Sequence, residues 1–289
     1  MVSAKVISDS VSPEGVRLTT VQATFHRYVL AEMNTHRIFS RNSASSRAIP
    51  VAKQIKKIRE TPAYPVEYGE NQPGMQAGVG LNRGSLDIIW VQSSRDSADT
   101  AEKLMSENVH KQVTNRLLEP FMWHTAVISS TAWGNFFNQR CSPLAQPEIR
   151  VVAEMIREVM DDSKPAELGV GEWHLPYIQD DEYVRMDWET LKKVSTARCA
   201  RVSYLTQEGS RDYSEDIKLY ARLVSSSPMH ASPLEHVATP AAWNSHTVEW
   251  TDDQDVQHTI GPIPKVGNFL GFQQHRLEVE QANKVQSFT

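Results

Sequence analysis

Residues 35–50 read THRIFSRNSASSRAIP. His36, Arg37, Arg41 and Arg47 stand there among Ser40, Asn42, Ser43, Ser45 and Ser46, with no acidic side chain and little apolar periodicity. Serine and asparagine compete with the backbone for hydrogen bonds and make poor helix interiors, so the stretch is expected to be a structured loop. Guanidinium groups beside hydroxyls suit an anion held by several charge-assisted bonds. The chain as a whole is acidic, with a net charge of −5 and a pI near 6.1. A nucleic-acid binder carries a basic footprint. A local basic cluster on an acidic chain points instead to a small anion, and we read it as a nucleotide site.

Working outward, 289 residues allow one large domain or two small ones, and 40% hydrophobic residues suffice for a sizeable core. Cys141 and Cys199 form no zinc spacing and no disulfide framework, which suggests a reducing, cytoplasmic compartment without a metal. No apolar run is long enough to span a membrane, and the N-terminus lacks the apolar core of a signal peptide. Residues 16–25, VRLTTVQATF, read as a strand, and 26–37 as a helix. Residues 60–97, rich in Pro and Gly, read as a long loop with room for short helical pieces, and 98–117 as a helix ended by Pro120. Residues 125–138 fit strand or helix. Pro147 opens the clearest helix, with Ile149, Val152, Ala153, Ile156, Val159 and Met160 at i, i+3, i+4, i+7 spacing. Residues 161–195 look like a connector, and 197–204 start a new unit. A helix over Ser214–Val224, a loop through SPMHASPLEHVATP, a hairpin within 243–264 and a terminal helix over GNFLGFQQHRLEVEQ complete the expectation.

Taken singly, these features have plain readings: a solvated polar loop at 35–50, capping histidines in HASPLEH, a surface arginine at 140. Together they resemble the flavin-dependent (alternative) thymidylate synthases. His36-Arg37, seven residues, Ser45 and then Arg47 is similar to the family's Arg-His-Arg…Ser-x-Arg signature, and Ser40 and Asn42 also match. Thr35 replaces the first Arg, Ser43 replaces a Glu, and Glu32 stands for a Gln. A second block, 116–150, is similar to the family's C-terminal half at Arg116, Pro120, Thr125, Asn135, Arg140, Ala145, Gln146 and Glu148. A third, ARVSY (200–204) with HASPLEH (230–236), resembles motifs that in the family precede the other two. Here they follow, so the chain resembles a circular permutant, a rearrangement tolerated where natural termini lie close together.

The resemblance implies an α+β fold, a sheet flanked by helices in permuted motif order. It implies a single catalytic domain over 1–289, in which 16–160 carry the first two blocks, 161–196 the connector and 197–289 the displaced block. It implies one-carbon transfer to C5 of a pyrimidine deoxynucleoside monophosphate, dUMP to dTMP, with FAD as cofactor and methylenetetrahydrofolate and NADPH as co-substrates. Arg140 and His230 would be catalytic. Glu32, Ser43, Ser45, Arg47, Arg116 and Arg140 would hold the nucleotide. His36, Arg37, Ile38, Asn135, Ser203, Ser232 and Glu235 would hold FAD. A homotetramer is expected, with no nucleic acid and no membrane as partner. Two alternatives stay open: methylation or hydroxymethylation of dUMP or dCMP to a modified nucleotide, motivated by Glu32 and Ser43, and a non-catalytic flavin or nucleotide binder.

Overall fold

A computed structural model of the chain describes residues 1–202, 211–241, 248–251, 257–260 and 265–282. It opens with β1 (Ser3–Val11) and β2 (Arg17–His26), an antiparallel pair closed by a turn in which Gly15 takes φ +78°. Next come a 3-10 turn (Arg27–Val29), α1 (Leu30–Asn34), β3 (Ser40–Ser43), α2 (Val51–Glu60), α3 (Arg83–Ser106) and α4 (Lys111–Thr114). A second 3-10 turn (Asn115–Phe121) leads to β4 (Trp123–Ser130), α5 (Gly134–Arg140) and α6 (Pro147–Asp161). After β5 (Ala166–Glu167) follow α7 (Asp180–Tyr183), α8 (Trp188–Arg201) and α9 (Tyr213–Ser225), then a 3-10 turn (Ser232–His236) and β6 (Ala238–Pro240). The last elements are β7 (Val248–Thr251), β8 (Gln257–Ile260), β9 (Lys265–Val266), β10 (Phe269–Leu270), β11 (Phe272–Gln274) and α10 (His275–Ala282).

The main sheet runs β3-β4-β2-β1-β5. Its first four strands are antiparallel, and β5 lies parallel to β1. Strand β2 shows why its sequence makes a two-sided strand. Val21, Ala23 and Phe25 point to one face and join a core with Ile149, Val152, Ala153 and Ile156 of α6. Each fully buried aliphatic side chain there contributes roughly 1.5–3 kcal/mol. Leu18, Thr20, Gln22 and Thr24 point to the other face. Leu18 packs with Ala238, Phe269 and Phe272, so the C-terminal segment covers one end of that face. Helix α2 packs on α3 through Val51, Ile55, Ile58, Ala98 and Ala101. No helix among the described residues is long and apolar enough to cross a membrane.

The strand at 16–25, the helices at Pro147 and at 213–225, and the hairpin are present, the last as β7 paired antiparallel to β8. The ambiguous 125–138 resolves into both states, β4 and then α5. Other expectations need correction. The loop over 60–97 ends at Asn82, whose side chain accepts from the Gly84 backbone N–H at 3.0 Å and starts α3 at Arg83. The helix over 98–117 stops at Ser106, because Asn108 takes φ +59°. The helix over 26–37 is shorter, so His36 lies beyond it, and the 35–50 loop contains β3. The connector contains β5, α7 and the first half of α8, and ARCAR (197–201) ends that helix rather than starting a unit. Residues 269–270 and 272–274 of the expected terminal helix are strand, and only 275–282 are helical.

Candidate functional site

The loop after α1 is shaped by its own arginine. Arg41, on β3, donates from Nη1 to the backbone carbonyls of Met33 and His36 at 3.0 and 3.5 Å. One of the three arginines of the 35–50 cluster is therefore spent inside the fold, where burial lowers its pKa from the ordinary value. That bond holds His36 inward, 6% exposed, stacked on Phe39 and edge-on to Phe136.

Arg140, the last residue of α5, comes to the same place from the helix that follows β4. Its Nε donates to His36 Nε2 at 2.9 Å, and its Nη2 donates to Thr35 Oγ1 at 3.0 Å and to the Glu32 carbonyl at 3.5 Å. Burial, then the guanidinium charges of Arg140 and Arg41, bring the His36 pKa down to about 4. A neutral His36 accepting at Nε2 carries its proton on Nδ1. Thr35, a departure from the resembled motif, thus supplies a hydroxyl that anchors Arg140. Glu32 Oε2 is buried without a hydrogen-bond partner among the described residues.

The third block reaches the same sheet edge. Asn42 Nδ2 donates to the Cys199 carbonyl of α8 at 2.7 Å, and Ser232 Oγ donates to Asn42 Oδ1 at 3.4 Å. Ser40 Oγ accepts from Gln274 Nε2 at 2.9 Å, and the same amide donates to the Glu235 carbonyl at 2.8 Å. Glu235 pairs with Arg276 at 2.7 Å, a partner that the sequence reading does not single out. Residues 40–42, the end of α8 and the 232–236 turn are therefore tied side chain by side chain.

The remaining predicted residues are not joined to these two groups by any side-chain hydrogen bond or ion pair among the described residues. Ile38 packs against the main core, Ser43 pairs with Ala126, and Arg37, Arg47 and Asn135 are exposed. Arg116 pairs with Glu119 at 2.8 Å, which also holds Arg27, and has no described contact with Arg140. His230 is exposed, its backbone N–H bonded to the Leu223 carbonyl, and no side-chain hydrogen bond is formed among the described residues. Ser203 lies outside the described residues. Ala44 and Ile49, which bracket Ser45 and Arg47, line a cleft of about 460 Å³ with Thr24, Thr125, Lys53 and Lys57. Its size suits a small organic ligand, and its lysines suit an anion. No group of three or more His, Cys, Asp or Glu side chains is placed to hold a metal among the described residues.

The structure offers fixed donors around Arg140, an acceptor at Glu32 unsatisfied among the described residues and, separately, a cleft with lysines at its edge. A family model described as thymidylate synthase complementing protein (Thy1) matches residues 14–166, more than half of the chain. No curated protein matches. Among solved structures, the UMP/dUMP methylase PolB from Streptomyces cacaoi, bound with 5-Br UMP, is similar at a TM-score of 0.47 and 14% identity, over 56% of this chain and 89% of that one. The same enzyme bound with 5-Br dUMP gives 0.46 and 14%, over 56% and 90%. Thymidylate Synthase X from Helicobacter pylori, with FAD and dUMP, gives 0.38 and 14%, over 50% and 67%.

Proposed function

The chain belongs to the thymidylate synthase complementing protein family, flavin-dependent enzymes acting on pyrimidine nucleotides, and on that premise we propose that it transfers a one-carbon unit to C5 of dUMP, giving dTMP. The observation that carries this reading is the 2.9 Å bond between Arg140 and His36, which joins two motif blocks more than a hundred residues apart. A guanidinium held by a neutral imidazole and a threonine hydroxyl is a preorganised donor. Facing a pyrimidine carbonyl, it stabilises the negative charge that grows on that oxygen as C5 attacks. Arg47, Ser45 and Arg116 hold the phosphate and sugar side, since arginine binds a phosphate bidentately. Ser43 and Glu32 face the base. His230, exposed ahead of the 232–236 turn, is open to substrate and takes the part of a proton relay.

The donor set fits FAD. Exposed Arg37 suits its pyrophosphate, while the His36 Nδ1–H and the Asn135 amide suit flavin carbonyls. Ile38, Ser203, Ser232 and Glu235 complete the shell. FAD, when bound, supplies two-electron redox chemistry, with methylenetetrahydrofolate as carbon donor and NADPH as reductant. The whole chain, 1–289, acts as one catalytic unit in permuted motif order, assembled as a homotetramer. The bonds from Asn42 to Cys199 and Ser232 support that order.

Glu32 favours a second reading. A carboxylate only accepts hydrogen bonds, and its buried Oε2, without a partner among the described residues, suits an exocyclic amine as well as a ring N–H. A cytosine nucleotide, methylated or hydroxymethylated at C5, is the alternative substrate. A non-catalytic binder would have no use for the preorganised Arg140. Calorimetric titration with FAD, then with dUMP and dCMP on the FAD-loaded protein, tests the assignment. Saturable FAD binding followed by nucleotide binding is expected, and absence of FAD binding removes the flavoenzyme reading.

A further inference from the structure

A buried chain of hydrogen bonds crosses the sheet face away from α6. It starts at β1, where Ser10 Oγ lies 2.9 Å and Ser8 Oγ 3.3 Å from His174 Nδ1. His174 Nε2 lies 2.7 Å from Thr20 Oγ1 on β2, which lies 2.5 Å from Ser129 Oγ on β4. Ser129 Oγ lies 2.8 Å from His236 Nδ1, in the turn that also carries Ser232 and Glu235. Ser10, Thr20, Ser129, His174 and His236 are all at most 3% exposed. His236 Nε2 is buried with no partner among the described residues. His174 lies between β5 and α7, and its backbone exchanges N–H···O bonds with Ala238, directly after the turn.

Counting hydrogens gives the chain a direction. A hydroxyl carries one hydrogen, and a neutral imidazole carries one on one of its two nitrogens. Burial pushes both imidazoles down to about 3, so both are neutral near pH 7. In one arrangement Ser10 donates to His174 Nδ1, His174 Nε2–H to Thr20, Thr20 to Ser129, and Ser129 to His236 Nδ1. The His236 proton then sits on Nε2, the sole orphan among the buried members. In the reverse arrangement His174 Nδ1–H points at Ser10, whose hydroxyl hydrogen then has no acceptor along the chain, and His236 Nε2 is a bare, unpaired nitrogen. The first arrangement leaves fewer buried polar atoms unsatisfied, and each of these is costly.

We infer that His174 is a positioning residue, which through Thr20 and Ser129 holds His236 in the tautomer protonated at Nε2 and presents that N–H at the 232–236 turn. The connector is in this way wired to a motif on a different part of the chain. The consequence for ligand binding rests on the proposed role of that turn in holding FAD; the tautomer assignment does not.

The test is nuclear magnetic resonance of the ligand-free full chain with ¹⁵N-labelled histidine, the His236 signals being identified by their loss in His236→Gln. The wild type should show His236 protonated at Nε2 and bare at Nδ1. His174→Gln can donate its amide to Thr20 and accept from Ser10, so it should keep that tautomer. His174→Leu and the near-isosteric Thr20→Val cut the chain and should give a mixture of tautomers. The Thr20 variant keeps the test open if His174→Leu fails to fold. A merely structural His174 would leave the tautomer unchanged in both cut variants. That result, or a wild-type His236 protonated at Nδ1, overturns the inference. In parallel, FAD affinity should fall about tenfold in His174→Leu and far less in His174→Gln. Equal losses in the two would overturn the ligand part. No FAD binding by the wild type would refute the proposed function and leave the tautomer result standing.

Discussion

Replacing Asn42 with aspartate changes one buried NH₂ for an oxygen and almost nothing in shape. In the native chain that NH₂ donates at 2.7 Å to the Cys199 carbonyl, one of the last four of α8, which helix geometry leaves without an intrahelical donor. In Asn42→Asp an ionised oxygen faces that carbonyl, acceptor against acceptor, while the other oxygen keeps Ser232. A buried acceptor stripped of its donor costs about 1–3 kcal/mol. Taking about 2 kcal/mol, and an unfolding entropy of about 2.1 cal/mol/K per residue, a chain of this size should melt roughly 3 °C lower at pH 7. The deficit should depend on pH with a definite sign. Once protonated, the introduced carboxyl can again donate to Cys199, so its folded pKa lies above its unfolded value. The folded state then binds the extra proton, and the deficit shrinks as pH falls through the folded pKa. Differential scanning calorimetry of both proteins across acid pH measures this. A melting point within about 1 °C of wild type at neutral pH, or a deficit that pH does not alter, would contradict the claim that Asn42 ties the end of α8 and the 232–236 turn to β3.

Because His36 is held below the ordinary histidine value, the unfolded chain takes up its proton first, and stability is lost as pH falls from about 6.5 towards 4. His36→Gln, which can still accept from Arg140, should show a shallower acid-side decline in thermal melts, and an identical slope would refute the assigned cause. Arg198 sits buried between Glu182 at 2.7 Å and Asp216 at 3.1 Å; Arg198→Met leaves carboxylates underpaired and should cost about 3–5 kcal/mol in denaturant unfolding. Arg47→Ala should weaken nucleotide binding in calorimetry more than FAD binding, and equal weakening would make it a structural residue. Arg140→Ala should slow single-turnover flavin oxidation by about a hundred- to a thousand-fold at saturating nucleotide and folate, with Arg140→Lys a poor rescue, and near wild-type rates would exclude its role.

Some of this was legible in the residues alone. Alternation in VRLTTVQATF and the Pro147 helix repeat are strong periodic signals, and both elements stand where they were expected. Helix α3 hid because its buried positions are small, Ser94, Ala98 and Ala101, while Ile88 and Ile89 face outward. An apolar-periodicity argument has little to hold there. Strand β3 hid because SRNS has the composition of a loop, and only pairing with β4 makes it a strand. Within the candidate site, the residue types at Arg140 and His36 were readable, but their 2.9 Å contact was not, since it depends on how α5 returns over the sheet. Arg41 looked like a ligand cation and proved to be a backbone brace. His174 and Gln274 gave no local signal at all, because their partners lie on strands far away in the chain.

The central claim is that this chain adds a carbon unit to C5 of a pyrimidine deoxynucleotide by a flavin-dependent route. Its most direct test is mass spectrometry of the nucleotide after incubating the FAD-loaded protein with dUMP, methylenetetrahydrofolate and NADPH, with dCMP in a parallel reaction. The account predicts a product heavier by one carbon unit, formed from dUMP and dependent on FAD. A product formed only from dCMP would move the assignment to the cytosine reading, and unchanged nucleotide in both reactions, with FAD bound, would contradict the claim.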